Sequence, residues 1–104
     1  MNLQELKESL TYDVTVEEVD RWTEEGNAED YESDVDYIQY HVYINGTQVG
    51  DLTYGDYFGQ LIGDLGNRGM QLDVGEHGVE ATIKSYLLKS PTGRKHMQLL
   101  TKGL

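Results

Sequence analysis

The chain has 104 residues, 8 Lys and Arg against 19 Asp and Glu, and a formal net charge of -11. That length fits a single domain spanning 1–104, and Leu, Ile, Val and Phe make up about 24% of it, above the level at which disorder is expected. With no cysteine, no stretch of apolar residues long enough to span a bilayer and no basic, apolar leader at Met1, the sequence excludes a disulfide framework, thiolate chemistry and a transmembrane helix, and points to the cytoplasm.

In chain order, Leu3, Leu6 and Leu10 share one face of a short helix over residues 2–10. Tyr12, Val14 and Val16 then alternate with polar residues. Thr15-Val16-Glu17-Glu18 also fits a capping box and Gly26 could stop a helix, but the β-branched Val14, Thr15, Val16 and Val19 favour a strand over 11–22. Residues 23–35 are polar and acidic and read as a loop turning at Gly26-Asn27. Over 36–54, Ile38, Tyr40, Val42 and Ile44 alternate with Tyr37, Gln39, His41 and Tyr43, and Asn45-Gly46 supplies a type I′ turn. A plain two-residue hairpin pairs Tyr37 with Tyr54.

Phe58, Leu61, Ile62 and Leu65 fit a helix over 56–66, ended by Asn67-Arg68-Gly69. On that helix Gly55, Gly59, Gly63 and Gly66 form a narrow stripe, a surface for close packing within the chain or against a second copy in a homodimer. Met70, Leu72 and Val74 alternate as a short strand. Residues 79–89 are ambiguous: Val79, Ile83 and Leu87 share a helix face, and Ala81, Ile83 and Leu87 a strand face. Because Ser90-Pro91-Thr92-Gly93 has the form of a β-turn, the reading preferred is a C-terminal hairpin over 79–101. The expected fold is α+β: a small antiparallel sheet with one or two short helices on one face.

No catalytic motif is present. His41, His77 and His96 fit neither a zinc-protease pattern nor a nucleophile elbow, and read as surface or strand histidines. Asp30, Glu32, Asp34 and Asp36 alternate as early calcium ligands do. A calcium loop starting at Asp30 requires Gly at its sixth position and Glu at its twelfth, where this chain has Val35 and His41. The expectation is a non-enzyme without cofactor or metal.

The charge distribution carries more. Residues 13–37 concentrate the acids, from Asp13 to Asp36, against Arg21 alone. No acid follows Glu80, whereas Lys84, Lys89, Arg94, Lys95 and Lys102 do. Such a chain is repelled by phosphate and anionic lipid and attracted to basic proteins. The carboxylates Glu24, Glu25, Glu29, Asp30, Glu32, Asp34 and Asp36, with the interfacial Tyr37 and Tyr43, form the candidate partner surface. The reading these features favour is an inhibitor that imitates nucleic-acid phosphates and occupies the basic groove of a nuclease, a restriction or CRISPR effector, or a transcription factor. An immunity or antitoxin protein would use the same physics, and a self-associating assembly subunit is a third reading. The basic C-terminus either folds against the acidic segment or forms a second patch.

Overall fold

Alternating apolar residues from Val14 onward build five strands in the computed structural model, which describes residues 12–27, 29 and 33–102. They are β1 (Val14–Glu24), β2 (Val35–Ile44), β3 (Thr47–Gly55), β4 (Gln60–Leu65) and β5 (Arg68–Asp73), followed by helices α1 (Val79–Lys89) and α2 (Pro91–Thr101). The strands form one antiparallel sheet in sequence order, a meander with β1 and β5 at its edges. The class is α+β, as composition and alternation imply. No helix among the described residues is long and apolar enough to cross a membrane. The helix expected over 2–10 lies outside the described residues.

The Asn-Gly hairpin forms as read: Asn45 and Gly46 have φ of 51° and 82°, the two positive values that a type I′ turn needs. Its far end is shifted. An extra residue, Val49, intervenes between the pairs Tyr43–Gln48 and Val42–Gly50, so Tyr37 faces Gly55, and Tyr54 faces Ile38. A second bulge at Val19 lies between the pairs Glu18–Tyr40 and Asp20–Gln39. Each bulge advances one strand by one residue and so decides which side chains share a face.

The helix expected over 56–66 is instead a turn and strand β4. Phe58 and Ile62, which would lie on its buried face, are 57% and 53% exposed. Gly59 and Gly66 take φ of 64° and 65°, which a right-handed helix does not use. Leu61 and Leu65 alternate inward and pair with Leu72 and Arg68 of β5 and with Tyr54 and Gly50 of β3. Gly59 and Gly63, interior to that helix, would weaken it by about 1 kcal/mol each, and pairing on both sides stabilises the strand.

The C-terminal hairpin expected over 79–101 is replaced by two helices. Val79, Ile83 and Leu87 do share a helix face, with Ile83 and Leu87 buried. Ser90-Pro91-Thr92-Gly93 is the start of α2: the Gly93 amide donates to Ser90 Oγ at 2.8 Å, and Pro91 opens the first turn. Pro fits there because a first-turn amide has no intrahelical acceptor.

Both helices cover one face of the sheet. The core joins Val14, Val42, Ile44, Leu52, Leu61 and Leu65 from the sheet to Ile83, Leu87 and Met97 from the helices. His96 is buried with them, contrary to the surface reading of the histidines. Its Nε2 lies 2.8 Å from the Leu65 carbonyl, which can only accept, so Nε2 donates. Nδ1 lies 3.1 Å from the Tyr86 hydroxyl, and the two hydrogen bonds tie α2 to β4 and α1. The core occupies one end of the sheet. In β1 only Val14 is buried and everything from Glu17 on is exposed. The chain measures 57 × 24 × 20 Å, and its radius of gyration, 15.5 Å, exceeds the roughly 13 Å usual for this length.

Candidate protein-binding face

The face of the sheet turned away from the helices is set by alternation and by the two bulges. Reading the pairings across the strands gives rows of side chains. One row runs Glu17, His41, Asp51, Asp64. The next runs Asp20, Gln39, Thr53, Ile62, Gln71. A third runs Trp22, Tyr37, Gly55, Gln60, Asp73. Rows on one face lie roughly 7 Å apart along the strands. By the same alternation Arg21 and Arg68 fall on the other side of the sheet. Lys84, Lys89, Arg94, Lys95 and Lys102 are carried by α1, α2 and its C-cap. Among the described residues, then, this open face holds Glu17, Asp20, Glu24, Asp51, Asp64 and Asp73 and no Lys or Arg.

The polar side chains of the face are tied to one another. Gln39 donates to both carboxylate oxygens of Asp51 at 2.9 Å, Gln60 donates to Asp73 at 2.7 Å, and Gln71 donates to Gln60. His41 Nε2 stands 3.8 Å from Asp51. Asp51 and Asp64 are direct cross-strand partners, a like-charge pairing that costs stability. Burial, and after it the adjacent Glu17 carboxylate, pushes the Tyr43 phenol above its usual range. On the opposite side of β1, Arg21 Nε donates to Glu18 at 2.8 Å and holds that carboxyl below its usual range.

An aromatic strip crosses the far end of the sheet. Trp22 stacks on Tyr37, with centroids 5.5 Å apart and 19° between planes. Tyr37 lies over Gly55: a Cβ there would come within 3.0 Å of the Tyr37 ring and 3.2 Å of Phe58. Phe58 meets Tyr57 edge-on at 5.2 Å. Gly55 thus lets two rings approach the backbone of β3 closely, and the strip extends from edge strand β1 to the β3–β4 turn. Trp22, Phe58 and Tyr57 remain 37%, 57% and 70% exposed.

The structure divides the sequence-derived candidates. Tyr37 and Tyr43 sit on the open face, as expected. Glu24 ends β1 on that face, but Glu25, Glu29 and Asp34 lie in the β1–β2 connection, where Asp34 accepts from the Gly26 amide at 2.9 Å. Asp36 falls on the other side of the sheet and accepts from the Thr23 hydroxyl. Asp30 and Glu32 lie outside the described residues. Gly55, Gly59, Gly63 and Gly66 form no helical stripe, because the helix is absent. Close packing holds within the chain at Gly63, where a Cβ would stand 2.1 Å from the Asp51 carbonyl, and at Gly66, 2.8 Å from Leu100. Gly59 faces open space and serves the turn by its φ.

Sequence reasoning missed Trp22, Asp51, Phe58, Ile62 and Asp64 as members of one surface. Alternation over 60–65 carried the signal, masked by a competing helical period. The basic helices lie across the sheet from the acidic face. Lys84 pairs with Glu80 one turn earlier in its own helix at 3.1 Å. No group of His, Asp or Glu among the described residues is arranged to hold a metal ion. Comparison with protein-family models, with curated proteins and with solved structures finds no match to this chain.

Proposed function

We propose that this chain is a small non-enzymatic binding protein that lays its open sheet face on the basic, nucleic-acid-binding surface of a target protein and inhibits it. The supporting observation is charge segregation: among the described residues the open face carries six named carboxylates without a Lys or Arg, and it sets Asp51 directly against Asp64. Opposed like charges cost a free sheet roughly 0.2–1 kcal/mol. A cationic partner relieves that repulsion, so the arrangement that weakens the free fold strengthens the complex. Carboxylates held on a sheet by Gln39 and Gln60 need little ordering on binding, and the uniform sign of the face steers encounter with a basic groove.

The test is displacement of duplex DNA from a panel of basic targets: a nuclease, a restriction enzyme, a CRISPR effector and a transcription factor. The expected result is inhibition of at least one target that weakens steeply with salt and falls at least tenfold for the triple variant E17Q/D51N/D64N. Failure to displace DNA from any of them, or unchanged inhibition by the triple variant, refutes the proposal.

A further inference from the structure

We infer that the aromatic strip makes this face selective for arginine over lysine, so that the partner surface is arginine-rich rather than merely basic. The inference rests on the binding role proposed above and names its partner chemistry. Three observations carry it. First, the exposed aromatic groups gather at one end of the acidic face: the stacked Trp22–Tyr37 pair, and Phe58 with Tyr57 beyond the bare backbone of Gly55. Second, that strip is bordered by Asp20 and Glu24 on β1 and by Asp73 at the end of its own row. Third, among the described residues no Lys or Arg shares that face with the rings. A planar guanidinium stacks on an aromatic face while its N–H groups reach flanking carboxylates, and at Trp22 the ring is flanked by Asp20 and Glu24, two residues to either side on the same face of β1. A lysine ammonium gains the charge attraction but not the planar stacking and forked hydrogen bonds. Duplex or single-stranded nucleic acid could also stack on exposed rings, but its phosphates would face Asp20, Glu24 and Asp73.

The experiment uses the full chain with three fluorescent probes: nona-arginine, nona-lysine and an oligothymidine. Binding is read by anisotropy at low salt. Nona-arginine should bind about fivefold to tenfold more tightly than nona-lysine, and oligothymidine should not bind. Trp22→Leu with Phe58→Leu should erase the preference by weakening the arginine probe alone. Melting of the double variant checks its fold, and the single variant Phe58→Leu, in an exposed turn, gives a second reading should the double variant unfold. E17Q/D51N/D64N should weaken both peptides alike. Equal affinity for the two peptides, or a preference that survives loss of the rings, overturns the arginine inference and leaves the acidic-face reading standing. If neither peptide binds, or if the oligothymidine binds best, both fall.

Discussion

Replacing Gly93 by Ala tests the packing of the two helices, because local and tertiary effects have opposite signs. Gly93 lies in the first turn of α2 with an ordinary helical φ, so Ala should favour the helix by up to about 1 kcal/mol. In the fold, however, a Cβ at this position would stand 1.6 Å from the Tyr86 carbonyl oxygen of α1 and 2.8 Å from Ser90 Oγ. Ordinary contact begins near 3.4 Å, and the obstacle is helix backbone, which cannot swing aside as a side-chain tip can. Relief requires α2 to lift off α1, which loosens Met97, Leu87 and the His96–Tyr86 hydrogen bond. Overpacking of this kind costs about 3 kcal/mol, so the net loss is about 2 kcal/mol. For a domain of this size that lowers Tm by about 10 °C. Thermal and urea melts of Gly93→Ala beside wild type measure it. Gly75→Ala is the control: its Cβ would come no nearer than 4.0 Å to Thr82, and its stability should change by less than about 0.5 kcal/mol. A Gly93→Ala variant that melts at or above wild type would refute the close helix contact.

Gly63→Ala should destabilise by about 1–3 kcal/mol in urea, since its Cβ would meet the Asp51 carbonyl at 2.1 Å, whereas a helix at this position would gain stability. Asp64→Asn removes the repulsion with Asp51 and should raise stability by roughly 0.2–1 kcal/mol while weakening target inhibition; a loss of stability would show that the opposed carboxylates do not repel. His96→Phe keeps the ring volume but leaves the Leu65 carbonyl and the Tyr86 hydroxyl without this partner, and denaturant melts should show a loss of about 1–3 kcal/mol. Tyr40 is raised above 10.0 by burial and then by Glu18. The folded state therefore holds the phenol proton more tightly than the unfolded chain, and this contribution is complete below about pH 10 and lost as pH rises through the folded value. Stability of Tyr40→Phe measured against alkaline pH should fall less steeply than wild type above pH 10.

The sequence by itself determined the class of the fold, the strand at β1, the central hairpin and the bipolar charge. These are local matters. Asn45-Gly46 specifies its turn through two positive φ values, and alternation from Ile38 to Ile44 specifies which side chains share a face. Tertiary structure decided the rest. Between 56 and 66 four apolar residues fit a helical period, whereas a strand turns only Leu61 and Leu65 inward and leaves Phe58 and Ile62 exposed; pairing of Leu61 with both Tyr54 and Leu72 selected the strand. In 79–101 the same Ser-Pro-Thr-Gly served a turn or a helix start. The choice fell to burial of Ile83, Leu87 and Met97 against the sheet and to the close contact at Gly93. The candidate face was the least legible part. Its rows depend on two one-residue bulges, at Val19 and Val49, and a shift of one residue sends every later side chain to the opposite face. Charge density along the chain therefore pointed to residues 24–36, whereas the fold gathers Glu17, Asp51 and Asp64 from three separate strands beside Trp22 and Tyr37. Proximity across strands is a property of register, and register is fixed only when the whole sheet has formed.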